Sequence, residues 1–194
     1  MNNDIIEPGG GFPTHPHRDA EIFTYVISGE LEHRDSMGNG TVIKTGELQY
    51  MSAGSGVTHS EFNPSQENQT ELYQIWMRPN QSGGEPLYAE KKLSHSVSNG
   101  EMKLLFSGSG KDGSSPIRQN AEFWMGQGES QKKISLEPVD SLPHAWMQVV
   151  SGSVKVENYL LGKADGLAME NLNQSIELTC QKDTTFFLFR LTDS

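Results

Sequence analysis

The sequence has little of three things that would otherwise define its class: cysteine, basic residues and long apolar runs. Its only cysteine is Cys180, which excludes an intrachain disulfide and is typical of proteins from a reducing compartment. The first residues, MNNDIIEPGG, have neither the basic region nor the apolar stretch of a signal peptide. No apolar run approaches the length of a membrane span. These absences predict a cytoplasmic protein with no membrane anchor.

The shortage of basic residues argues against one class of partner. Lys and Arg number 15 against 25 Asp and Glu, and the formal net charge is −10. No run of basic residues is longer than Lys91-Lys92 or Lys132-Lys133. Because affinity for a phosphate backbone depends on clustered positive charge, direct nucleic-acid binding is disfavoured.

Helical periodicity is also scarce, and the residue pattern that is present is typical of strands. Short segments rich in β-branched and aromatic residues alternate with glycine-containing and polar turns, which predicts an all-β fold of short strands. The predicted strands include EIFTYVIS, ELQYM and ELYQIWM in the first half, and AEFWMGQG, HAWMQVVSG, SVKVENYL and TTFFLFRL in the second half. The apolar run of the last segment predicts a strand buried on both faces.

Two observations predict that the chain is divided into two related domains. The loop-like stretches PNQSGGEP and SGSGKDGSS lie near its middle. The segment YVISGEL at residues 25–31 resembles QVVSGSV at residues 148–154, at an offset of 123 residues (152 − 29). We therefore expect one domain over residues 1–93 and a second over residues 94–194.

The most informative pattern is a pair of short motifs, His15-x-His17 and His59-x-Glu61. Alternate residues of a strand share one face, so two adjacent strands would direct three imidazoles and one carboxylate to a single point. Such a donor set predicts a transition-metal site with positions left for water, dioxygen or substrate. The alternative for an isolated His-x-His pair is a solvated strand, since histidine has several other roles.

The other histidines, His33, His95 and His144, have no such partner in the sequence. We expect them to be structural or solvated.

The two motifs also resemble those of a known family. The two cupin motifs are similar to GFPTHPHRDAEIFTYVISG and GSGVTHSEFN of this chain. The sequence from Pro8 to Met77 resembles pirin-family proteins, especially bacterial ones described as quercetin dioxygenases. The resemblance implies two cupin-type β-barrels in tandem. It implies a metal-binding N-terminal barrel and a metal-free C-terminal barrel.

The pirin resemblance further implies which residues act. A single divalent ion, Fe(II) in the first instance with Mn, Ni, Cu or Zn as alternatives, would be held by His15, His17, His59 and Glu61. Glu21 lies at a position that other cupins use as a ligand, and we assign it a supporting or substrate-facing role. Dioxygen and a flavonol such as quercetin would be the substrates, with Glu61 as the proton acceptor.

Substrate contacts are less specific. Phe12 and Phe62 could bracket a flat ring, but packing within the barrel explains these aromatic residues equally well.

A second function remains open. The chain could be a metal-dependent regulatory protein that binds another protein, as nuclear pirins are described. Such a protein would need the same four ligands as the enzyme. A sugar-binding or isomerase cupin is a weaker interpretation, because the sequence resembles pirins so closely.

The repeat offset predicts that the second domain lacks metal. It maps His15 to Pro138, His17 to Asp140 and Glu21 to His144. Only His144 keeps a side chain typical of a transition-metal ligand, and we expect it to make a structural hydrogen bond instead.

Overall fold

The computed structural model describes residues 1–93 and 97–193. Over these residues the regular secondary structure is almost entirely strand, and its one helical segment is a 3-10 turn at Lys111–Gly113. This confirms the predicted all-β class. Within the described ranges, no helix is long and apolar enough to cross a membrane.

The chain forms two compact units, Met1–Ser94 and His95–Ser194. The predicted boundary after residue 93 adjoins residues 94–96, which are not described. His95, for which we expected a structural or solvated role, lies outside the described residues.

Over residues 1–93 the first unit has nine strands in two sheets. The strands are β1 Asn2–Ile6, β2 Gly11–His17, β3 Glu21–Ser28, β4 Glu30–Asp35, β5 Gly40–Lys44, β6 Glu47–Ser52, β7 Val57–Phe62, β8 Thr70–Met77 and β9 Leu87–Lys92. The sheet orders are β1-β8-β3-β6-β9 and β2-β7-β4-β5.

Alternation along these strands builds an apolar layer between the two sheets. Val26 and Leu72 from the first sheet meet Leu31 and Ile43 from the second in one buried cluster. At about 25 cal/mol per Å² of apolar surface removed from water, such clusters supply most of the driving force for folding. Strand β7, which carries His59, contributes Val57 to a second buried cluster with Ile22 and Met51 of the first sheet.

In the described part of the second unit, residues 97–193, ten strands form two sheets. The strands are β10 Glu101–Ser107, β11 Ser115–Pro116, β12 Ala121–Gly128, β13 Lys133–Leu136, β14 His144–Ser151, β15 Ser153–Val156, β16 Tyr159–Gly162, β17 Gly166–Met169, β18 Ile176–Cys180 and β19 Thr184–Leu191. The sheet orders are β11-β10-β12-β19-β14-β17 and β13-β18-β15-β16.

Strand β19 lies inside its sheet, between β12 and β14. Phe186 and Leu188 belong to the main apolar cluster of this unit, while Phe187 and Phe189 pack on Phe123 with ring centroids 5.1 and 4.4 Å apart. The expected burial of β19 on both faces is observed.

The internal repeat is visible in the structure as a shared turn that leads the chain from one sheet to the other. Gly29 between β3 and β4, and Gly152 between β14 and β15, have φ of 81° and 78°, a left-handed conformation that favours glycine. A bulge precedes each glycine in its strand pairing. Beside each turn a threonine hydroxyl donates to the carbonyl of the residue after the glycine, from Thr70 at 2.6 Å and from Thr184 at 2.7 Å.

The structure also departs from the predicted strands. SVKVENYL is not one strand but a hairpin, because the chain turns at Glu157, where φ is 51°, and Val156 pairs with Tyr159. Strand β1 was not predicted, since its polar NND start lacks the β-branched pattern of the other strands.

Candidate metal centre

Three neighbouring strands of the four-stranded sheet build the site. Strand β7 lies between β2 and β4. Its His59 is opposite His15 on β2 and opposite Asp35 on β4. Its Glu61 is opposite His33 on β4. Because directly opposite residues of antiparallel strands share a face, all of these side chains lie on one side of the sheet.

His15, His17 and His59 are brought together as the period-two spacing predicts. Their ring centroids are 4.5 to 4.8 Å apart, and one ring nitrogen from each lies within 4.8 Å of the others. His59 is only 2% exposed, whereas His15 and His17 are half-buried. The cluster therefore has a closed side at His59 and an accessible side at the other two rings.

A bulge in β2 orients the His15 ring. The register of β2 on β7 shifts between Phe12 and His15, over the segment that contains Pro13, which has no N–H to give to the ladder. The Pro13 carbonyl accepts a hydrogen bond from His15 Nδ1 at 2.7 Å. This bond places the ring hydrogen on Nδ1 and leaves the lone pair of Nε2 available, as is usual for a histidine that binds metal.

His59 gives the clearest indication that the cluster is an ion-binding site. Its Nε2 is buried and has no hydrogen-bond partner, while its Nδ1 lies 3.4 Å from Nδ1 of His33. Buried polar atoms without partners are rare in folded proteins and usually indicate an ion or water. Three clustered imidazoles with such an atom fit a divalent transition metal.

Burial and neighbouring rings keep two of these imidazoles, His59 and His17, neutral. Burial, followed by the nearby His33, His15 and His17 rings, lowers the pKa of His59 to about 3. Burial and then His15 also lower the pKa of His17. Neutral imidazole is the form that binds metal, so His59 and His17 do not have to lose protons near pH 7.

Glu61 lies next to the cluster but is held by other residues. It is buried, and its carboxylate accepts from Gln74 Nε2 at 2.9 Å and from Thr24 Oγ1 at 3.5 Å. Burial raises its pKa to about 7 against the opposing effect of those hydrogen bonds. Its oxygens form a second group with His59 and His33. The full four-ligand set therefore stays a prediction.

Glu21 is buried, and its carboxylate accepts hydrogen bonds from two hydroxyl groups. Tyr50 donates to one carboxylate oxygen, and Ser52 donates to the other at 2.5 Å. These contacts place it in the five-stranded sheet with its β6 neighbours. Its supporting or substrate-facing role stays a prediction.

His33, which we expected to be structural or solvated, has a structural role beside the cluster. It is 0% exposed, so it is not solvated, and its Nε2 lies 3.2 Å from Asp35 Oδ2 while its Nδ1 lies 2.8 Å from Gln49 Nε2. The available signal was the alternation His33-x-Asp35 in ELEHRD, which has the same period as His15-x-His17. Gln49 had no comparable signal, since it comes from the other sheet.

A cavity of about 530 Å³ adjoins the accessible side of the cluster. His17, Arg18, Val57 and Thr58 are among the residues that line it, whereas Phe12 and Phe62 are not. The aromatic side chain beside His17 is that of Trp76, an exposed residue whose ring meets the imidazole edge-on at 4.8 Å. Trp76 Nε1 also donates to Gln74 Oε1 at 3.1 Å, which orients the amide that binds Glu61.

In the second unit, His144 makes hydrogen bonds of the kind expected. Its Nε2 lies 2.8 Å from Asp193 Oδ1, and its Nδ1 accepts from the backbone N–H of Asn171 at 3.3 Å. Both ring nitrogens are therefore engaged.

We predict that His144→Ala leaves the metal content of the protein unchanged, since His144 is engaged by Asp193 and by the backbone of Asn171. Elemental analysis of the purified variant beside the wild type checks this. A loss of metal equal to that of a His17→Ala variant would contradict it.

Known proteins resemble the chain over both units. Two family models match: Pirin at residues 1–77 and Quercetinase C-terminal cupin domain at residues 104–191. A quercetin 2,3-dioxygenase of Escherichia coli K12 is 39% identical over 98% of this chain and 80% of its own length. A pirin-like protein of Caulobacter vibrioides is 33% identical over 96% and 80% of the two chains.

Solved structures agree with these sequence matches. The bacterial pirin YhhW from Escherichia coli, in complex with nickel(II), superimposes with a TM-score of 0.91 at 36% identity, over 99% of this chain and 81% of that one. The predicted tandem arrangement of two cupin barrels is thereby confirmed.

Proposed function

Since this chain belongs to the pirin family, we propose that it is a metal-dependent dioxygenase of a flavonol such as quercetin. The observation that carries the proposal is the cluster of His15, His17 and His59, in which a buried ring nitrogen of His59 has no hydrogen-bond partner. The name of its Escherichia coli relative supports the reaction and the substrate class.

We assign the metal to His15, His17 and His59, with Glu61 as the fourth ligand. Fe(II) is the proposed ion, although a mixed nitrogen and oxygen donor set accepts Mn, Ni, Cu or Zn as well, and one related structure contains nickel(II). A bound ion would supply Lewis acidity and electron exchange with dioxygen. Each carboxylate oxygen has two lone pairs, so Glu61 could bind the ion while it keeps its hydrogen bonds from Gln74 and Thr24.

The protein's own residues would bind the substrate and remove a proton from it. The 530 Å³ cavity beside His17 is within the range of small-molecule sites, and Trp76 offers an exposed ring on which a flat flavonol could stack. Glu61 would accept the proton of the substrate hydroxyl. Gln74 would keep its carboxylate oriented, since the Gln74 amide is itself fixed by Trp76.

We expect metal-loaded protein to consume dioxygen when quercetin is added, and we expect Glu61→Gln to slow turnover by about 10²-fold or more, as is common when a general base is lost. Metal content should fall much less, because the three histidines remain. An oxygen electrode gives turnover, and elemental analysis gives metal content. Glu67→Gln, at an exposed position in a loop of the same unit, is the matched control and should keep wild-type activity.

Absence of oxygen uptake across several flavonols, tested with Fe, Mn, Ni and Cu, would contradict the proposed reaction. Metal binding without oxygenation would instead favour the regulatory, protein-binding function of the same site.

A further inference from the structure

The buried pair His33 and Asp35 lies directly behind His59 and has no part in the proposed reaction. We propose that Asp35, acting through His33, fixes the ring tautomer of His59 that leaves Nε2 bare for a metal ion. Both would then be positioning residues. This inference rests on the proposed metal site, but the tautomer itself can be measured in metal-free protein.

Asp35 accepts hydrogen bonds at both of its carboxylate oxygens. Its Oδ1 accepts from the backbone N–H groups of Met37 and Asn39 at 2.9 and 3.0 Å. Its Oδ2 accepts from the Asn39 side-chain amide at 2.7 Å and faces His33 Nε2 at 3.2 Å. Since an ionised carboxylate can only accept, the facing nitrogen of His33 must carry a hydrogen.

A neutral His33 with its hydrogen on Nε2 has a lone pair on Nδ1. That nitrogen lies 2.8 Å from Gln49 Nε2 and 3.4 Å from His59 Nδ1. A donor is therefore favoured at Nδ1 of His59, which leaves its other nitrogen, the buried and unpartnered Nε2, with a lone pair.

An alternative is that His33 is itself a ligand, since His33, His59 and Glu61 also form a compact group. Hydrogen bonding argues against this. The Nε2 of His33 carries its hydrogen toward Asp35, and the lone pair of its Nδ1 faces Gln49 Nε2 and His59 Nδ1, whereas the Nε2 of His59 has no hydrogen-bond partner. His33 is therefore placed to orient a ligand, in the way that groups behind metal-bound histidines commonly do.

Asp35→Asn is the sharpest test, because the backbone fixes the new amide. The two N–H groups that bind Oδ1 require the amide oxygen at that position, so the NH₂ group faces His33 Nε2. That nitrogen must then accept, and the His33 hydrogen moves to Nδ1, toward which the Gln49 amide would turn its oxygen, an atom without a hydrogen-bond partner in the structure. His59 Nδ1 becomes the acceptor, and its hydrogen moves to Nε2, where the metal would bind.

The tautomers are read from ¹⁵N chemical shifts of the histidine rings in metal-free protein near pH 8. We expect a bare Nε2 on His59 in the wild type and a protonated Nε2 in Asp35→Asn. Nickel(II) affinity, measured by calorimetry, should fall by about 10- to 100-fold in the variant, with the stoichiometry unchanged.

Asn39→Ala is the matched control. It removes the other side-chain donor to Asp35 Oδ2 in the same turn, but it leaves the carboxylate facing His33. Tautomer and nickel affinity should stay close to those of the wild type.

Three results would overturn the inference: an unchanged His59 tautomer in Asp35→Asn, an equal loss of affinity in Asn39→Ala, or complete loss of nickel in His33→Ala, which would make His33 a ligand. A wild-type protein that binds no nickel would count against the proposed function instead. The tautomer measurement would still decide the role of Asp35.

Discussion

Replacing His59 by alanine is expected to remove most of the bound metal. The wild type should hold about one equivalent per chain, as is usual for a site of this donor set. His59 is the proposed ligand on the closed side of the cluster, and its Nε2 has no hydrogen-bond partner in the structure. Alanine removes that donor and leaves the two half-buried imidazoles of His15 and His17 with Glu61. We expect a metal ion held by this smaller set to be lost more readily to solvent. Elemental analysis after dialysis against a weak chelator measures the loss.

His17→Ala separates metal binding from folding. The His59 side chain is buried, so its removal could loosen the sheet, whereas His17 is half-buried at the edge of a cavity and its truncation should leave the fold intact. Both variants should lose metal, and thermal unfolding followed by circular dichroism should report a native transition for His17→Ala. Unchanged metal content in both variants would disprove the site.

The sequence alone was sufficient to predict that His15 and His17 share one face of a strand, but not that this strand lies beside the strand of His59. Alternation along a strand depends only on backbone geometry, so His15 and His17 had to share a face, and the adjacency of β2 and β7 completes the cluster with His59. The bulge at Pro13, which orients His15, was not predicted. Proline in a strand suggests irregular pairing, but the carbonyl that accepts from the ring depends on the local path of the chain.

The groups behind the cluster could not be predicted, because they depend on strand order and on packing between sheets. His33 and Asp35 face His59 only because β4 lies on the other side of β7. Gln49 and Gln74 come from β6 and β8 of the opposing sheet. A periodic pattern shows which residues of one strand share a face, but it does not show which strands become neighbours.

Deleting Thr184–Leu191 is expected to prevent the second unit from folding. These residues form β19, which pairs with β12 on one side and β14 on the other. The deletion would leave both neighbours with unpaired edges and would remove Phe186, Phe187 and Leu188, all fully buried. Truncation of one such aromatic residue costs about 3–5 kcal/mol, and a whole domain is stable by only about 5–15 kcal/mol.

A graded form of this prediction keeps the chain intact. Phe186→Ala should lower the free energy of unfolding by about 3–5 kcal/mol, because the ring lies in the main apolar cluster of its unit and covers Gly126 of the neighbouring strand. Leu160→Ala, at a strand position that is 68% exposed, is the control and should cost less than about 0.5 kcal/mol. Urea titration measures both variants, and limited proteolysis reports on the deletion. A protease-resistant second unit without β19, or equal stability of the two alanine variants, would show that this strand is not the centre of its core.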